Sequence, residues 1–181
     1  MTAETAPDQV EQLDYLSFVD YALAQTAREL PGVDTDAMRM VLTLHRVTSA
    51  LVYDLEASVH RPRGWTWPGF RVLFVLWLAA PAEAKRVAEL SGMSRAAVSA
   101  LVNTLERDGL VARRTAEHDQ RAVRLSLTPA GHAAITSAFH AHNEREQAWA
   151  GLLTAQERAT LAGLLGKLMS GARGGAFRRR V

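Results

Sequence analysis

AKRVAELSGMSRAAVSALVNTLERDGLVARRTAEHDQRAVRLSL, residues 84–127, decides the fold of this 181-residue chain. A short helix comes first, over residues 84–90, and Ser91-Gly92-Met93 makes a turn. Ser94 supplies a side-chain oxygen acceptor of the kind that caps a helix N-terminus. Val98, Leu101, Val102 and Leu105 follow at the three- and four-residue spacing of one buried helical stripe. Gly109 stops that helix, as glycine does just past a helix C-terminus. Two β-rich runs, residues 110–115 and 122–127, then flank the polar link AEHDQR. Helix, turn, helix and a charged β-hairpin form the pattern of a winged helix-turn-helix, a module that lays its second helix in the major groove of DNA.

The side of the second helix opposite its apolar stripe carries Ala96, Ser99, Ala100, Asn103 and Arg107, with Ser94 at its start and Arg95 on the flank. Small residues permit close approach to base edges, Ser and Asn can bond those edges, and Arg suits guanine or phosphate. An ordinary solvated face would bring Glu and Lys in i,i+4 pairs, and the central turns have none. On the wing, Arg121 suits the narrow minor groove, where negative potential is enhanced. Asp119 either holds Arg121 and the turn in place or is simply a turn former. Arg113 and Arg114, at the wing base, are expected to meet phosphates, which position a protein without reading sequence.

The run SGMSRAAVSALVNTLERDGLVARR, followed by DQRAVRLSLTPAG, resembles the MarR family of bacterial transcriptional regulators. Asp119-x-Arg121 and then Leu127-Thr128-Pro129-Ala130-Gly131 are similar to that family's wing and the start of its next helix. The likeness extends back through WTWPGFRVLFVL from Trp65 and, in helical layout, forward to about residue 170. It implies a homodimer on double-stranded DNA, with the long flanking helices interlaced between subunits. It also implies release of DNA when a small, often aromatic ligand enters a crevice between the reading head and the dimer lobe.

Composition fits a globular protein, with 48% hydrophobic and 22% charged residues. The net charge of only +2 does not by itself point to nucleic acid; the clustering of Arg113, Arg114, Arg121 and Arg124 about the wing matters more. There is no cysteine, so disulfides and thiol redox sensing are excluded. No apolar run approaches the ~20 residues of a membrane span, and the N-terminus lacks the basic and apolar regions of a secretory signal. A cytoplasmic protein without membrane contact is expected.

Around the reading head the pattern is helical. Residues 1–8 should be frayed, and an amphipathic helix is expected over residues 9–30, broken by Pro31-Gly32. A second helix, capped by Asp34 or Thr35, runs to about residue 60, with Met38, Val41 or Leu42, His45, Thr48, Leu51 or Val52, Leu55 and Val59 as its stripe. Thr66 caps a third, with Pro68 in its first turn, apolar on most faces and therefore buried. Thr128 and Pro129 open a long helix to about residue 151, and Thr154-x-x-Glu157 resembles a capping box before a last helix. The fold is therefore mainly α with a small β-hairpin wing: N-terminal helices of a dimerisation lobe (9–63), a winged helix-turn-helix DNA-binding domain (66–127), C-terminal dimerisation helices (128–170) and a flexible basic tail (171–181). The flanking helices carry more apolar surface than one small wing domain needs, and one recognition helix covers few base pairs. Two copies related by a two-fold can read half-sites about one helical turn apart.

For an effector, His45, Arg46, Tyr53, Trp65, Trp67, Phe70 and Arg71 stand where the resemblance puts the crevice. His45 lies on the apolar stripe and is equally readable as a core histidine; Trp65 and Trp67 are equally readable as core aromatics. The urate-responsive branch of the family shares the added N-terminal helix, but this chain has no Trp before Trp65, and Arg71 stands about where that branch has an Asp. Arg46 and Arg71 instead suit an anionic ligand such as an aromatic carboxylate. A metal site is disfavoured: His140 and His142 diverge on a helix, and His142 with Glu146 would need further ligands. No phosphate-binding loop, dinucleotide fingerprint or nucleophile elbow is present, so neither an enzyme nor a cofactor is expected. Two other readings stay open, a winged helix that binds protein and a non-specific architectural DNA binder.

Overall fold

A computed structural model describes residues 13–15, 17–116 and 119–171, with the backbone alone at 115–116 and 119–122. The chain divides between Ser58 and Val59 into two compact units.

The first unit is a helical pair, α1 (Phe18–Glu29) and α2 (Thr35–Leu55). Ahead of α1 the Ser17 N–H donates to Asp14 Oδ1 at 2.7 Å and the Asp14 N–H to Ser17 Oγ at 2.9 Å. These local bonds stand at the start of α1; the start of the helix expected over residues 9–30 falls on residues 9–12, which lie outside the described ones. Asp34 caps α2 by accepting from the Ala37 N–H at 2.9 Å. Val19 and Leu23 are the buried residues of α1. The expected stripe of α2 is not buried as a whole: Val41, His45 and Thr48 are exposed, and so are Met40, Leu44 and Val47. The reason is length, since the 12 residues of α1 can cover only part of a 21-residue helix. Past Leu55 the chain makes one π turn, Glu56–His60, and one 3-10 turn, Arg61–Arg63, ending at left-handed Gly64. Pro62 has no N–H to return to the carbonyl four residues back, and the helix loosens ahead of it.

The second unit holds α3 (Trp67–Ala79), β1 (Ala82–Glu83), α4 (Ala84–Ser91), α5 (Arg95–Arg107), β2 (Val111–Ala116), β3 (Asp119–Leu127), α6 (Pro129–Ala150) and α7 (Ala155–Gly171). The three strands form one antiparallel sheet in the order β1-β3-β2. The strand β1, two residues long, was not expected. The hairpin ladder also runs further than expected, to Ala116 opposite Asp119 after an irregularity at Thr115/Ala116. Ala116 and Asp119 of the polar AEHDQR run therefore contribute backbone to the sheet.

The spine is α3. Phe70, Val72, Leu73 and Leu76 are buried against Val87 and Ala88 of α4, Val98, Val102 and Leu105 of α5, Val111 and Leu125 of the sheet, and Ile135 and Ala138 of α6. Each of these side chains larger than alanine contributes about 1.5–3 kcal/mol by leaving water, so the angle between α4 and α5 is fixed by a dry core and not by the turn alone. The turn itself is closed by Gly92 at φ 65°, with the Met93 N–H donating to the Ala88 carbonyl at 3.1 Å.

Leu127-Thr128-Pro129-Ala130-Gly131 acts as a latch. The Thr128 hydroxyl donates to the Gly109 carbonyl at 2.7 Å and accepts from the Gly131 N–H at 2.9 Å, while the Thr128 N–H donates to the Leu110 carbonyl at 3.0 Å. One residue thus ties the end of α5 to the start of α6. By contrast, α7 has no buried residue in 17. Its start is the expected capping box, the Thr154 N–H donating to Glu157 Oε2 at 2.8 Å and the Glu157 N–H to Thr154 Oγ1 at 3.3 Å.

Candidate nucleic-acid interface

Ser94 opens α5 by accepting from the Ala97 N–H at 3.2 Å. From there the helix is divided by its own periodicity. Val98, Val102 and Leu105 are buried, and Ser94, Arg95, Ala96, Ser99, Ala100, Asn103 and Arg107 are exposed. Most of the exposed face is short side chains, so a second surface could approach the helix backbone closely. Arg107 leans on its neighbour Asp108, Nε to Oδ1 3.7 Å, but remains mostly in water.

Strand register separates the wing-base arginines. Arg113 pairs with Leu125, and Arg114 with Arg124; directly opposed residues share a face and successive ones alternate. Arg113 therefore lies on the α5 side, where it borders a groove of about 260 Å³ with Ser99, Val102, Val123 and Leu125. Arg114 shares the other face with Arg124, which is also opposite Glu83 of β1. The two wing-base arginines therefore leave the strand on opposite faces. Arg113 is further committed within the fold: its Nη2 donates to Asn103 Oδ1 at 2.5 Å and its Nε lies 3.5 Å from Glu106 Oε2. Glu106 was not foreseen as part of the site. The backbone of Asp119 and Arg121 lies in β3; their side chains are outside the described residues, and so is the tail from residue 172.

The effector candidates fall three in the first unit and four in the second. In the first, His45 is exposed, its Nδ1 3.5 Å from Ser49 Oγ. That position answers one open alternative, since His45 is no core histidine of the single chain. The Arg46 guanidinium lies over the rings of Tyr15 and Phe18, 4.3 and 5.0 Å from their centroids, and its buried Nη1 has no hydrogen-bond partner among the described residues. Tyr53 is exposed. In the second unit Trp65 is buried, while Trp67 and Phe70 join an aromatic nest with His60, Phe139 and His142. His60 lies 4.3 Å from Phe70 and 5.4 Å from His142, centroid to centroid; Phe70 lies 4.6 Å from His142. Arg71 takes no part in that nest; its guanidinium reaches the Gly92 turn.

Neither His60 nor the burial of His142 was legible in the sequence. His142 is 4% exposed, with Nε2 3.2 Å from Glu146 Oε1. Burial pushes its pKa below 6.5, and the Glu146 carboxylate offsets part of that shift. Among the described residues no three His, Cys, Asp or Glu side chains are grouped to hold a metal ion, and no helix is long and apolar enough to cross a membrane.

A helix pair packed on α3, a three-stranded sheet and an exposed second helix make this a winged helix-turn-helix protein. Residues 64–122 match the MarR family. The HTH-type transcriptional regulator YwaE of Bacillus subtilis, itself uncharacterized, is 29% identical over 137 residues, 76% of this chain and 80% of its own. The repressor CouR, in a structure bound to a 23-mer DNA duplex, superposes with a TM-score of 0.66 and 26% identity over 80% of this chain and 95% of that one. The MarR family protein Rv2887 of Mycobacterium tuberculosis, in complex with p-aminosalicylic acid, gives a TM-score of 0.57 with 25% identity over 69% of this chain and 94% of its own. The chain is thus similar to MarR-family transcriptional regulators, and the family match lies on its winged helix-turn-helix, residues 64–122.

Proposed function

We propose that the protein is a sequence-specific repressor that binds a palindromic operator as a homodimer and leaves it when a small aromatic or anionic effector binds. The observation that carries the DNA-reading part is the division of α5: one face is locked into the core, and the other presents Ser99, Ala100, Asn103 and Arg107 to solvent. A rigidly held helix with short and hydrogen-bonding residues outward suits base edges, whereas a protein-docking helix would present an apolar face. Ser94, Arg95 and Ala96 join it at the groove, Arg114 meets phosphate, and Arg121 of the wing, oriented by Asp119, enters the minor groove.

The dimer rests on unpartnered apolar surface. Leu161, Leu164, Leu168 and Met169 of α7 are all exposed, as are Met40, Val41, Leu44 and Val47 of α2. Most helical stability in proteins comes from packing of an apolar face, so a second copy that covers α7 accounts for its persistence. The helices on either side of residues 66–127 form the dimerisation lobe, and the two reading heads fall on half-sites one turn apart. For the effector, Arg46 offers an unsatisfied cationic donor among aromatic rings, and Rv2887, a relative, takes an aromatic acid. A ligand that prefers a respaced arrangement of the two heads draws the population away from DNA.

Titration of selected duplexes against variants tests the reading. Ser99→Ala and Asn103→Ala relax preference at particular bases, by about 1–3 kcal/mol at a read position. Arg121→Ala weakens binding to every sequence and lowers the salt slope by ~1. An Arg121→Ala protein with unchanged affinity and salt slope contradicts the wing assignment.

A further inference from the structure

Within the DNA-reading role proposed above, the geometry points to Arg113 as a positioning residue that decides which base Asn103 reads. Arg113 comes from β2 and Asn103 from α5, and the two meet with Arg113 Nη2 2.5 Å from Asn103 Oδ1. A guanidinium has only donors, so the amide oxygen must face it and the amide NH2 must turn away. Glu106, one helical turn past Asn103, lies beside the same guanidinium, with its Oε2 3.5 Å from Arg113 Nε. Arg113 is therefore held from two positions of α5, with part of its charge already answered inside the protein. It is poorly placed to act as a free phosphate clamp.

The consequence is chemical. Asn reads adenine by a paired contact, with its amide oxygen accepting from N6 and its NH2 donating to N7. Here the oxygen is engaged by Arg113, so Asn103 meets the groove as a donor. Adenine N7 can still take such a donor but sets the N6 donor beside it, whereas guanine offers two acceptors, O6 and N7, and thymine offers O4. The Arg113–Asn103 pair thus changes the usual preference of an asparagine from adenine to an acceptor-rich edge. Ser99, which borders the same groove as Arg113, can donate or accept and imposes no such bias.

Selection from a random duplex pool with wild-type, Arg113→Ala, Arg113→Lys and Asn103→Ala proteins tests this, with thermal melting of each as a control for folding. The wild type should favour guanine or thymine at one symmetric position of each half-site, and Asn103→Ala should lose that preference. Arg113→Ala should shift the same position toward adenine or level it, by about tenfold in relative affinity. Arg113→Lys, which still donates to the amide oxygen, should keep it. Wild-type selection of adenine at the Asn103 position overturns the proposal. So does an Arg113→Ala protein that loses affinity equally for all sequences, with a shallower salt dependence and an unchanged consensus, because that is phosphate contact. A wild type that enriches no sequence at all removes the DNA-reading role itself and this inference with it.

Discussion

A Cβ placed on Gly131 would lie 2.0 Å from the carbonyl oxygen of Leu110. The first turn of α6 therefore rests directly on the backbone that leaves the recognition helix, and Thr128 bonds both segments. The atom in the way is backbone, which cannot swing aside as a side chain can. Gly131→Ala should destabilise the protein by about 1–3 kcal/mol or more, as overpacking does, and Thr128→Ala by about 1 kcal/mol through loss of the cap. Thermal melting at fixed protein concentration checks both. A Gly131→Ala protein as stable as wild type would mean that α6 can shift off Leu110 at no cost.

Acid should weaken the fold through His142. Unfolded, its imidazole titrates near 6.5; folded, burial among Phe70, Trp67 and Phe139 holds the pKa lower, against the opposing pull of Glu146. Between those two values the unfolded chain binds a proton that the folded one does not. This contribution to stability is present above pH 6.5 and falls away as pH drops toward the folded pKa. His142→Phe should flatten that part of the profile, and Glu146→Gln should carry the loss to lower pH. Denaturant titrations across pH 5–8 read both; a slope unchanged in His142→Phe assigns the titration to another group.

Lysines at Leu164 and Leu168 should release monomers. Both leucines are exposed on a helix with no buried residue, and charge there blocks any apolar seam. Sedimentation should show the double variant at half the wild-type mass, with operator affinity reduced along with it. A double variant that still sediments as a dimer moves the interface away from α7.

Aromatic carboxylates should raise the melting temperature and lower operator affinity together. A ligand at a hundred times its Kd stabilises the state it binds by about 2.7 kcal/mol. Arg46→Ala should abolish both effects, since its guanidinium carries the unsatisfied donor. If saturating aromatic acids change neither quantity, the effector class is wrong.

The reading head was legible because its signals are local. Ser94, Gly92, Gly109, Thr128 and Pro129 each act on the turn beside them, and the structure has helix ends at those residues. The outward face of α5 followed from periodicity alone. What was not legible depends on contacts distant in sequence or on short irregular pieces. The strand Ala82–Glu83 is too short to show alternation. The π turn at Glu56–His60 has no pattern of its own. That Arg113 turns toward Asn103 while Arg114 turns away is set by the register of β2 on β3, which composition does not encode. The nest of His60 and His142 joins two elements far apart in the chain. The stripe of α2 was legible as apolar, but the sequence does not say whether its own chain covers it.

Selection of bound duplexes from a random DNA pool by the purified protein at near-physiological salt tests the central claim most directly. An enriched palindrome with half-sites about one helical turn apart, as expected for a two-fold pair of recognition helices, is the predicted result. Retention of DNA without enrichment would contradict sequence-specific reading and leave an architectural binder, and no retention by ligand-free protein would leave a winged helix that binds protein instead.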